Sequence, residues 1–179
     1  MGLAKQLRAV LTLPFVVTVV IPSILLFGFS GIDSHWLTAS AWYALVFPVA
    51  VLLLLAGSFL FAVTVYLFHI DGQGTLAPWS PTQKLVVRGP YKLVQNPMIT
   101  GVLAILLGES LLLGSFVLGL WAATFFGVNH IYFILSEEPG LKKRFGGEYE
   151  TYMNNVPRWF PKPDTLTYAG KDNVHAQPD

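Results

Sequence analysis

The sequence predicts an all-α integral membrane protein with four transmembrane helices and an interfacial C-terminal helix on the cytosolic side. Of its 179 residues, 54% are apolar and 12% are charged, whereas soluble domains carry roughly 25% charged residues. Its mean hydropathy is +0.58. A soluble core of this size would leave about a third of its surface in need of polar cover. Since the chain lacks that cover, we treat residues 1–179 as a single membrane domain.

The first predicted span covers residues 9–29, which contain no charged residue. About 20 apolar residues are enough to cross a bilayer. A cleaved signal peptide is the alternative, with Lys5 and Arg8 as its basic start and Ala39-Ser40-Ala41 as its cleavage site. The apolar stretch is longer than the roughly 7–15 residues of a signal core, which favours an uncleaved span.

The second predicted span covers residues 42–69 and is followed by a polar loop over residues 71–97. The span is longer than a bilayer core requires, so we expect it to tilt or to extend into the cytosol. Gly, Pro, Asp and Asn recur through the loop and interrupt any long helical pattern.

The third and fourth spans, residues 99–113 and 116–135, are predicted to form a helical hairpin. Gly114-Ser115 lies between them and is typical of a tight turn. The first arm is barely long enough to cross a bilayer. Pro139 and Gly140 are expected to end the fourth helix shortly after Glu137 and Glu138.

Residues 141–160 are predicted to form an amphipathic helix, and residues 164–179 a mobile end. The helix prediction depends on one stripe at spacings of four, four and three residues, formed by Leu141, Phe145, Tyr149 and Tyr152. Gly146-Gly147 weakens the helix in its middle. Such a helix either lies on the cytosolic leaflet or packs as a lid over the mouth of the bundle.

The basic residues predict the orientation of the chain. Counted before span one and then through each successive loop to the tail, they number 2, 0, 3, 0 and 6. Cytosolic segments carry the excess of Lys and Arg, so both termini and the 71–97 loop are predicted to be cytosolic. The expected location is a bacterial inner membrane or an endoplasmic-reticulum type of membrane.

The adjacent carboxylates of Glu137 and Glu138 are the most informative polar pair in the sequence. The helix macrodipole disfavours anions at a helix C-terminus, so something must compensate for them. Lys142, Lys143 and Arg144 follow closely and could neutralise them as a solvated cluster. A bound cationic ligand is the other interpretation.

Two further polar residues fall within predicted spans. His130 lies about two helical turns before Glu137, so both are expected on a similar face. An interhelical hydrogen bond is one role for His130, and a cavity-facing role is the other. For Glu109, structural pairing or snorkelling is expected.

Several chemistries are excluded or weakly supported. The chain has no cysteine, so disulfides, thiolate metal sites and cysteine nucleophiles are excluded. Gly72-Gln73-Gly74-Thr75 lacks the pattern of a phosphate-binding loop and is interpreted as a linker. His69 and Asp71 lack a third ligand, so no metal site is predicted. The net charge of +1 gives no indication of nucleic-acid binding.

Two segments together resemble a known group of membrane enzymes. They are RGPYKLVQNPMITG and, some forty residues later, EEPGLKKRFGGEYETYMNNVPRWFP. They are similar to the isoprenylcysteine carboxyl methyltransferase and phospholipid N-methyltransferase group, whose pattern is GxYxxxRHPxYxG, a helical hairpin, EE and FGxxYxxYxxxVPRxxP. The resemblance covers about residues 85–161. Gln95-Asn96 stands where the group has Arg-His, and Ile99 stands where it has Tyr.

This resemblance implies S-adenosylmethionine as the cofactor and a lipophilic small molecule or lipid as the methyl acceptor, at the cytosolic membrane surface. Arg158 and His130 are the candidate acceptor-binding residues, and contact with lipid phosphate is the alternative for Arg158. Because Gln95-Asn96 carries no charge, a neutral or amine-bearing acceptor is expected rather than a carboxylate. The residues that the motifs place around the cofactor are Leu85, Val86, Tyr91, Asn96, Pro97, Met98, Ile99 and Glu137, with Glu138 adjacent.

Two other functions stay open at this point. Membrane sterol and steroid reductases share an RHPxY-like segment and a similar C-terminal tail, but they use NADPH. A non-catalytic membrane scaffold or transport accessory is the second alternative, because Arg and His are missing at Gln95-Asn96.

Overall fold

The computed structural model describes residues 12–31, 33, 42–71, 85, 87–162 and 165. Within these ranges every regular element is helical, which confirms the predicted all-α class. A 3-10 turn at Gly89–Lys92 precedes the third helix. We number the helices α1 (Thr12–Gly28), α2 (Tyr43–Asp71), α3 (Pro97–Leu113), α4 (Phe116–Phe145) and α5 (Gly147–Asn155).

Helix α1 is joined to α4 by a hydrogen bond to one of its backbone carbonyls, which lacks a partner within α1 because of a proline. Its π turn, Val16–Val20, pairs the Ile21 N–H with the Val16 carbonyl. In that register the Val17 carbonyl would accept from residue 22, which is Pro22 and has no N–H. The Trp121 indole of α4 donates to the Val17 carbonyl instead, at 3.1 Å. A neighbouring helix thus satisfies the backbone group, as an apolar environment requires.

Helices α2 and α3 form the most extensive contact of the bundle. They approach backbone to backbone, because a Cβ placed on Gly57 would lie 2.7 Å from the Gly101 carbonyl oxygen. At Gly108 a Cβ would lie 3.0 Å from the Ala50 carbonyl oxygen. The Tyr43 hydroxyl donates to the Leu112 carbonyl at 2.8 Å and joins the far ends of the same helices. Small residues at such crossings allow the close approach that helix packing in membranes uses.

The variant Gly57→Ala is expected to lower the free energy of unfolding by about 1–3 kcal/mol, because the new methyl group meets backbone and forces the helices apart. Thermal unfolding in detergent measures the loss. Gly127→Ala is the matched control, since a Cβ at Gly127 meets nothing within 4 Å. Equal stability of the two variants would contradict the close α2–α3 contact.

The predicted hairpin between α3 and α4 has the expected turn. Gly114 adopts the left-handed conformation at φ 61° and ends α3. Ser115 begins α4, and its hydroxyl accepts from the Leu118 N–H at 3.1 Å. The Asp33 carboxylate completes the cap, because it accepts from the Ser115 hydroxyl and, at 3.1 Å, from the Phe116 N–H. A carboxylate at a helix N-terminus is favourable for the macrodipole.

The prediction that Pro139 and Gly140 end the fourth helix is wrong, since α4 continues to Phe145. A π turn, Phe133–Glu137, comes directly before the proline, and the Glu138 N–H bonds to the Phe133 carbonyl five residues back. This wider turn separates the proline ring from the preceding carbonyls, which an α turn would bring into collision. The helix therefore absorbs the proline and carries Glu137 and Glu138 inside it rather than at its end.

The stripe predicted one continuous helix over residues 141–160, and this prediction is wrong. Gly146 (φ 54°) separates α4 from α5, and α5 ends at Asn155. The stripe itself is retained as a packed cluster. Tyr149, Tyr152 and Val156 form its buried centre, with Leu141 and Phe145 against them. Leu85 and Val87 of the preceding loop pack on the same cluster, so this segment covers the loop.

Two helices are long and apolar enough to cross a membrane, over Tyr43–Leu67 and Phe116–Phe145. The described parts of α1 and α3 are shorter apolar helices, Thr12–Gly28 and Pro97–Leu113. Several sequence predictions lie outside the described residues. They are residues 9–11, the Ala39-Ser40-Ala41 site, the Gly72–Thr75 linker, Val86 and, apart from Thr165, the 164–179 end.

Candidate functional site

The polar groups of the candidate site gather where the 87–97 loop meets the C-terminal segment. The Tyr152 hydroxyl donates to the Tyr91 carbonyl at 2.7 Å. The Gln95 amide donates to the Val156 carbonyl at 2.6 Å, and the Gln95 backbone N–H donates to the Pro157 carbonyl at 2.9 Å. These bonds join parts of the chain about sixty residues apart, and they fix the loop before the start of α3.

Asn96 is the residue before α3, and its side chain is 7% exposed. Its backbone carbonyl accepts from both the Thr100 N–H and the Thr100 hydroxyl. Its side chain makes no capping bond, and its Nδ2 atom is buried without a hydrogen-bond partner. A buried amide in this state is costly unless a partner completes it. The site thus presents an unused donor beside the start of a helix.

The two adjacent carboxylates have different environments. Glu138 is 8% exposed and forms an ion pair with Arg158, with 2.5 Å between its Oε1 and both the Nε and Nη2 atoms of the guanidinium. In the sequence, the nearby triplet Lys142, Lys143 and Arg144 is one candidate for the neutralising group. Arg158 instead reaches Glu138 from a segment twenty residues further along the chain. Glu138 therefore has its own cation.

Glu137 is half-buried and lies two residues beyond the predicted span 116–135. The Arg144 guanidinium lies near this carboxylate. The carboxylate also acts on two phenols. Burial and then the Glu137 charge raise the pKa of Tyr91 above its ordinary value. Burial raises the pKa of Tyr149 to about 12, helped by Glu138 and Glu137 and opposed by Arg158.

His130 of α4 lies in an aromatic cluster with Phe126, Phe133 and Trp159. Its Nδ1 atom accepts from the Trp159 indole at 3.0 Å. Phe126 stacks on the imidazole at 5.8 Å between ring centroids, and Phe133 meets the Trp159 ring edge-on at 5.6 Å. The sequence suggested an interhelical hydrogen bond for His130, but its partner Trp159 lies in the segment after α5 rather than on a helix.

The remaining predicted residues divide between the site and the core. Leu85 packs on the tyrosine cluster of the C-terminal segment. Pro97 is fully buried in the first turn of α3, and Met98 beside it is half-buried. Ile99 packs against the interhelical core centred on Val102 and Phe125, so it faces the bundle. Glu109 lies in α3 at the opposite end from the site, and its buried Oε2 atom has no hydrogen-bond partner.

Sequence reasoning missed three residues that organise the site, namely Gln95, Tyr149 and Trp159. The Gln95 side chain faces backbone carbonyls of the C-terminal segment, and only the fold reveals this. Tyr149 appeared in the predicted stripe as a packing residue, yet it lies close to both carboxylates and to Arg158. Within the described residues, no group of three His, Cys, Asp or Glu side chains could hold a metal ion.

The chain is an all-helical membrane-type protein whose buried carboxylates and unpaired amide lie at one end of its helices. A family model for phospholipid methyltransferase matches residues 45–148, which is more than half of the chain. The chain belongs to the phospholipid methyltransferase family, in agreement with the resemblance found in its motifs. A comparison with curated proteins gave no match.

Proposed function

We propose that this protein transfers a methyl group from S-adenosylmethionine to a lipophilic acceptor held at the cytosolic face of a membrane. The family supports a methyltransferase. The observation that carries the cofactor assignment is the half-buried Glu137 carboxylate, whose neighbour Glu138 holds Arg158 as its own cation. Arg144 lies near Glu137, and the ammonium group of the cofactor is the further cation that we assign to it, because burial of a carboxylate is costly without a paired cation.

The residues at the site fit the amino-acid portion of this cofactor. Glu137 would accept from its ammonium group, because charge-assisted hydrogen bonds are the strong ones. Asn96 offers a buried donor that is unused in the protein itself, and a carboxylate or hydroxyl of the cofactor would complete it. Tyr91 lies close enough to Glu137 to feel its charge, and we place it beside the cofactor. When bound, S-adenosylmethionine supplies a methyl group on a positively charged sulfur, which makes that carbon open to displacement.

The protein's own contribution is orientation and exclusion of water. Displacement at a methyl group requires the attacking atom and the leaving group in line, which binding in a fixed site provides. The C-terminal segment packs on Leu85 and Val87 of the preceding loop, and a drier site strengthens the attraction between charges.

We propose a neutral or amine-bearing acceptor rather than a prenylcysteine carboxylate. Gln95 and Asn96 bring no positive charge to the site, and the Arg158 guanidinium is held by Glu138. An acidic acceptor would therefore bring a second negative charge beside Glu137, whose own neighbouring cation is Arg144, and burying unpaired charge is unfavourable.

We also propose that α1 to α4 all cross the membrane with both termini cytosolic. The α1 and α3 helices of 17 residues would span roughly 26 Å, close to the thickness of a hydrocarbon core. The distribution of basic residues supports the orientation. It places the candidate site at the cytosolic surface, where a soluble cofactor and a membrane lipid can both reach it.

Retention of labelled cofactor by the purified full chain tests the proposed function. In detergent, the protein is expected to retain S-adenosylmethionine and to release it when unlabelled S-adenosylmethionine is added in excess. NADPH is the comparison ligand. Retention of NADPH alone would support the reductase alternative, and retention of neither ligand would favour a non-catalytic scaffold.

A further inference from the structure

Gln95 ties the loop before α3 to the end of α5 through three hydrogen bonds. Its Nε2 donates to the Val156 carbonyl at 2.6 Å and to the Met153 carbonyl at 3.4 Å. Its backbone N–H donates to the Pro157 carbonyl at 2.9 Å. The last carbonyls of a helix have no partner inside the helix. Gln95 therefore donates hydrogen bonds to carbonyls at the end of α5, although it lies in a distant part of the sequence.

The segment that follows α5 carries two of the contacts on which the site depends. Arg158 reaches Glu138, and Trp159 reaches His130, both of them residues of α4. Gln95 holds the start of this segment, and α4 holds the next two residues. The α3 side of the site is thus connected to the α4 side through residues 156–159.

We propose that Gln95 is a positioning residue for the acidic pair on α4. By fixing Val156 and Pro157, it keeps the Arg158 guanidinium on Glu138, so that Arg158 does not turn to the neighbouring Glu137. Glu137 then stays available for a cationic ligand. We call the hold of Gln95 on the end of α5 the tether. The ligand assignment rests on the proposed function, whereas the tether rests on the hydrogen bonds alone.

The chemistry of the tether specifies which side chains can serve at position 95. The side chain must donate, because both of its partners are carbonyl oxygens. A carboxylate of the same shape would face these oxygens with negative charge and repel them, and a thioether of similar length would leave them unpaired. An arginine retains the donors and reaches further. Comparing these substitutions distinguishes a hydrogen-bonding role of Gln95 from a role in packing alone.

The test compares Gln95→Glu, Gln95→Met and Gln95→Arg in the detergent-purified full chain. Hydrogen exchange of the 147–162 peptide reports on the tether, and the Kd for S-adenosylmethionine reports on the site. A buried hydrogen bond left unmade corresponds to about tenfold in affinity. We expect Gln95→Glu and Gln95→Met to exchange faster and to bind about tenfold more weakly, whereas Gln95→Arg should keep the slow exchange of the wild type.

Asn155→Gln is the matched control, because the exposed Asn155 amide donates to Thr151 in its own helix rather than to the loop before α3. Unchanged exchange in Gln95→Glu and Gln95→Met would overturn the tether. Faster exchange with unchanged Kd would overturn the positioning role. If the wild-type protein binds no S-adenosylmethionine, the proposed function fails, while the exchange measurement still decides whether Gln95 holds the segment.

Discussion

The variant Arg158→Gln is expected to lose about 2–3 kcal/mol of unfolding free energy, because Glu138 is then left buried without its cation. Removing one partner of a fully buried ion pair costs about 3–5 kcal/mol. The Arg158 side chain is 31% exposed, so solvent screening reduces the cost below that range. Unfolding by heat or denaturant in detergent measures the difference from the wild type.

The second substitution Glu138→Gln, added to Arg158→Gln, is expected to recover part of the lost stability, since no uncompensated charge remains buried. Lys143→Gln is the control, because Lys143 is an exposed cation on the same helix. Surface substitutions of this kind usually change stability by less than about 0.5 kcal/mol. A loss in Arg158→Gln no greater than in Lys143→Gln would contradict the structural role of the pair.

The variant Glu137→Gln is expected to bind S-adenosylmethionine roughly 10- to 150-fold more weakly than the wild type. The substitution keeps the shape of the side chain and removes the charge, and a lost hydrogen bond to a charged group is worth about 1.5–3 kcal/mol. Equilibrium binding of labelled cofactor at pH 8 measures the change. Glu148→Gln is the control, since Glu148 is an exposed carboxylate on α5.

The pH dependence of binding gives the same prediction a second readout. Only the charged form of the Glu137 carboxylate attracts a cation, so wild-type affinity is expected to fall as the pH is lowered and this carboxylate takes up a proton. In Glu137→Gln this dependence should be lost. Equal affinity and an equal pH profile in the two proteins would remove Glu137 from the site.

Helices α1 to α4 could be predicted from the sequence because each lies in an apolar run bounded by charges, Gly or Pro. The end of α4 could not be predicted, since a proline normally stops a helix and the π turn before Pro139 changes the register. The Gly114-Ser115 turn was predictable from local chemistry alone. Its cap by Asp33 was not, because that contact joins residues 82 apart in the sequence.

The candidate site could be located from motifs but not resolved into roles. The sequence placed Glu137 and Glu138 together, and their separate environments arise from Arg158, which is distant in the sequence and adjacent only in the fold. His130 acquires Trp159 as its partner in the same way. Gln95 could be noted only as a departure from the family pattern. Its function as a donor to the C-terminal segment depends on tertiary geometry.

The most direct test of the central claim is transfer of the labelled methyl group of S-adenosylmethionine by the purified protein in lipid vesicles. The vesicles should contain an amino-lipid mixture, with a prenylated cysteine analogue offered in parallel. The predicted result is label in the amino-lipid fraction, strongly reduced in Glu137→Gln and unaffected in Glu148→Gln. Efficient methyl-ester formation on the prenylcysteine would contradict the assigned acceptor, and no transfer to any lipid despite cofactor binding would contradict the proposed activity.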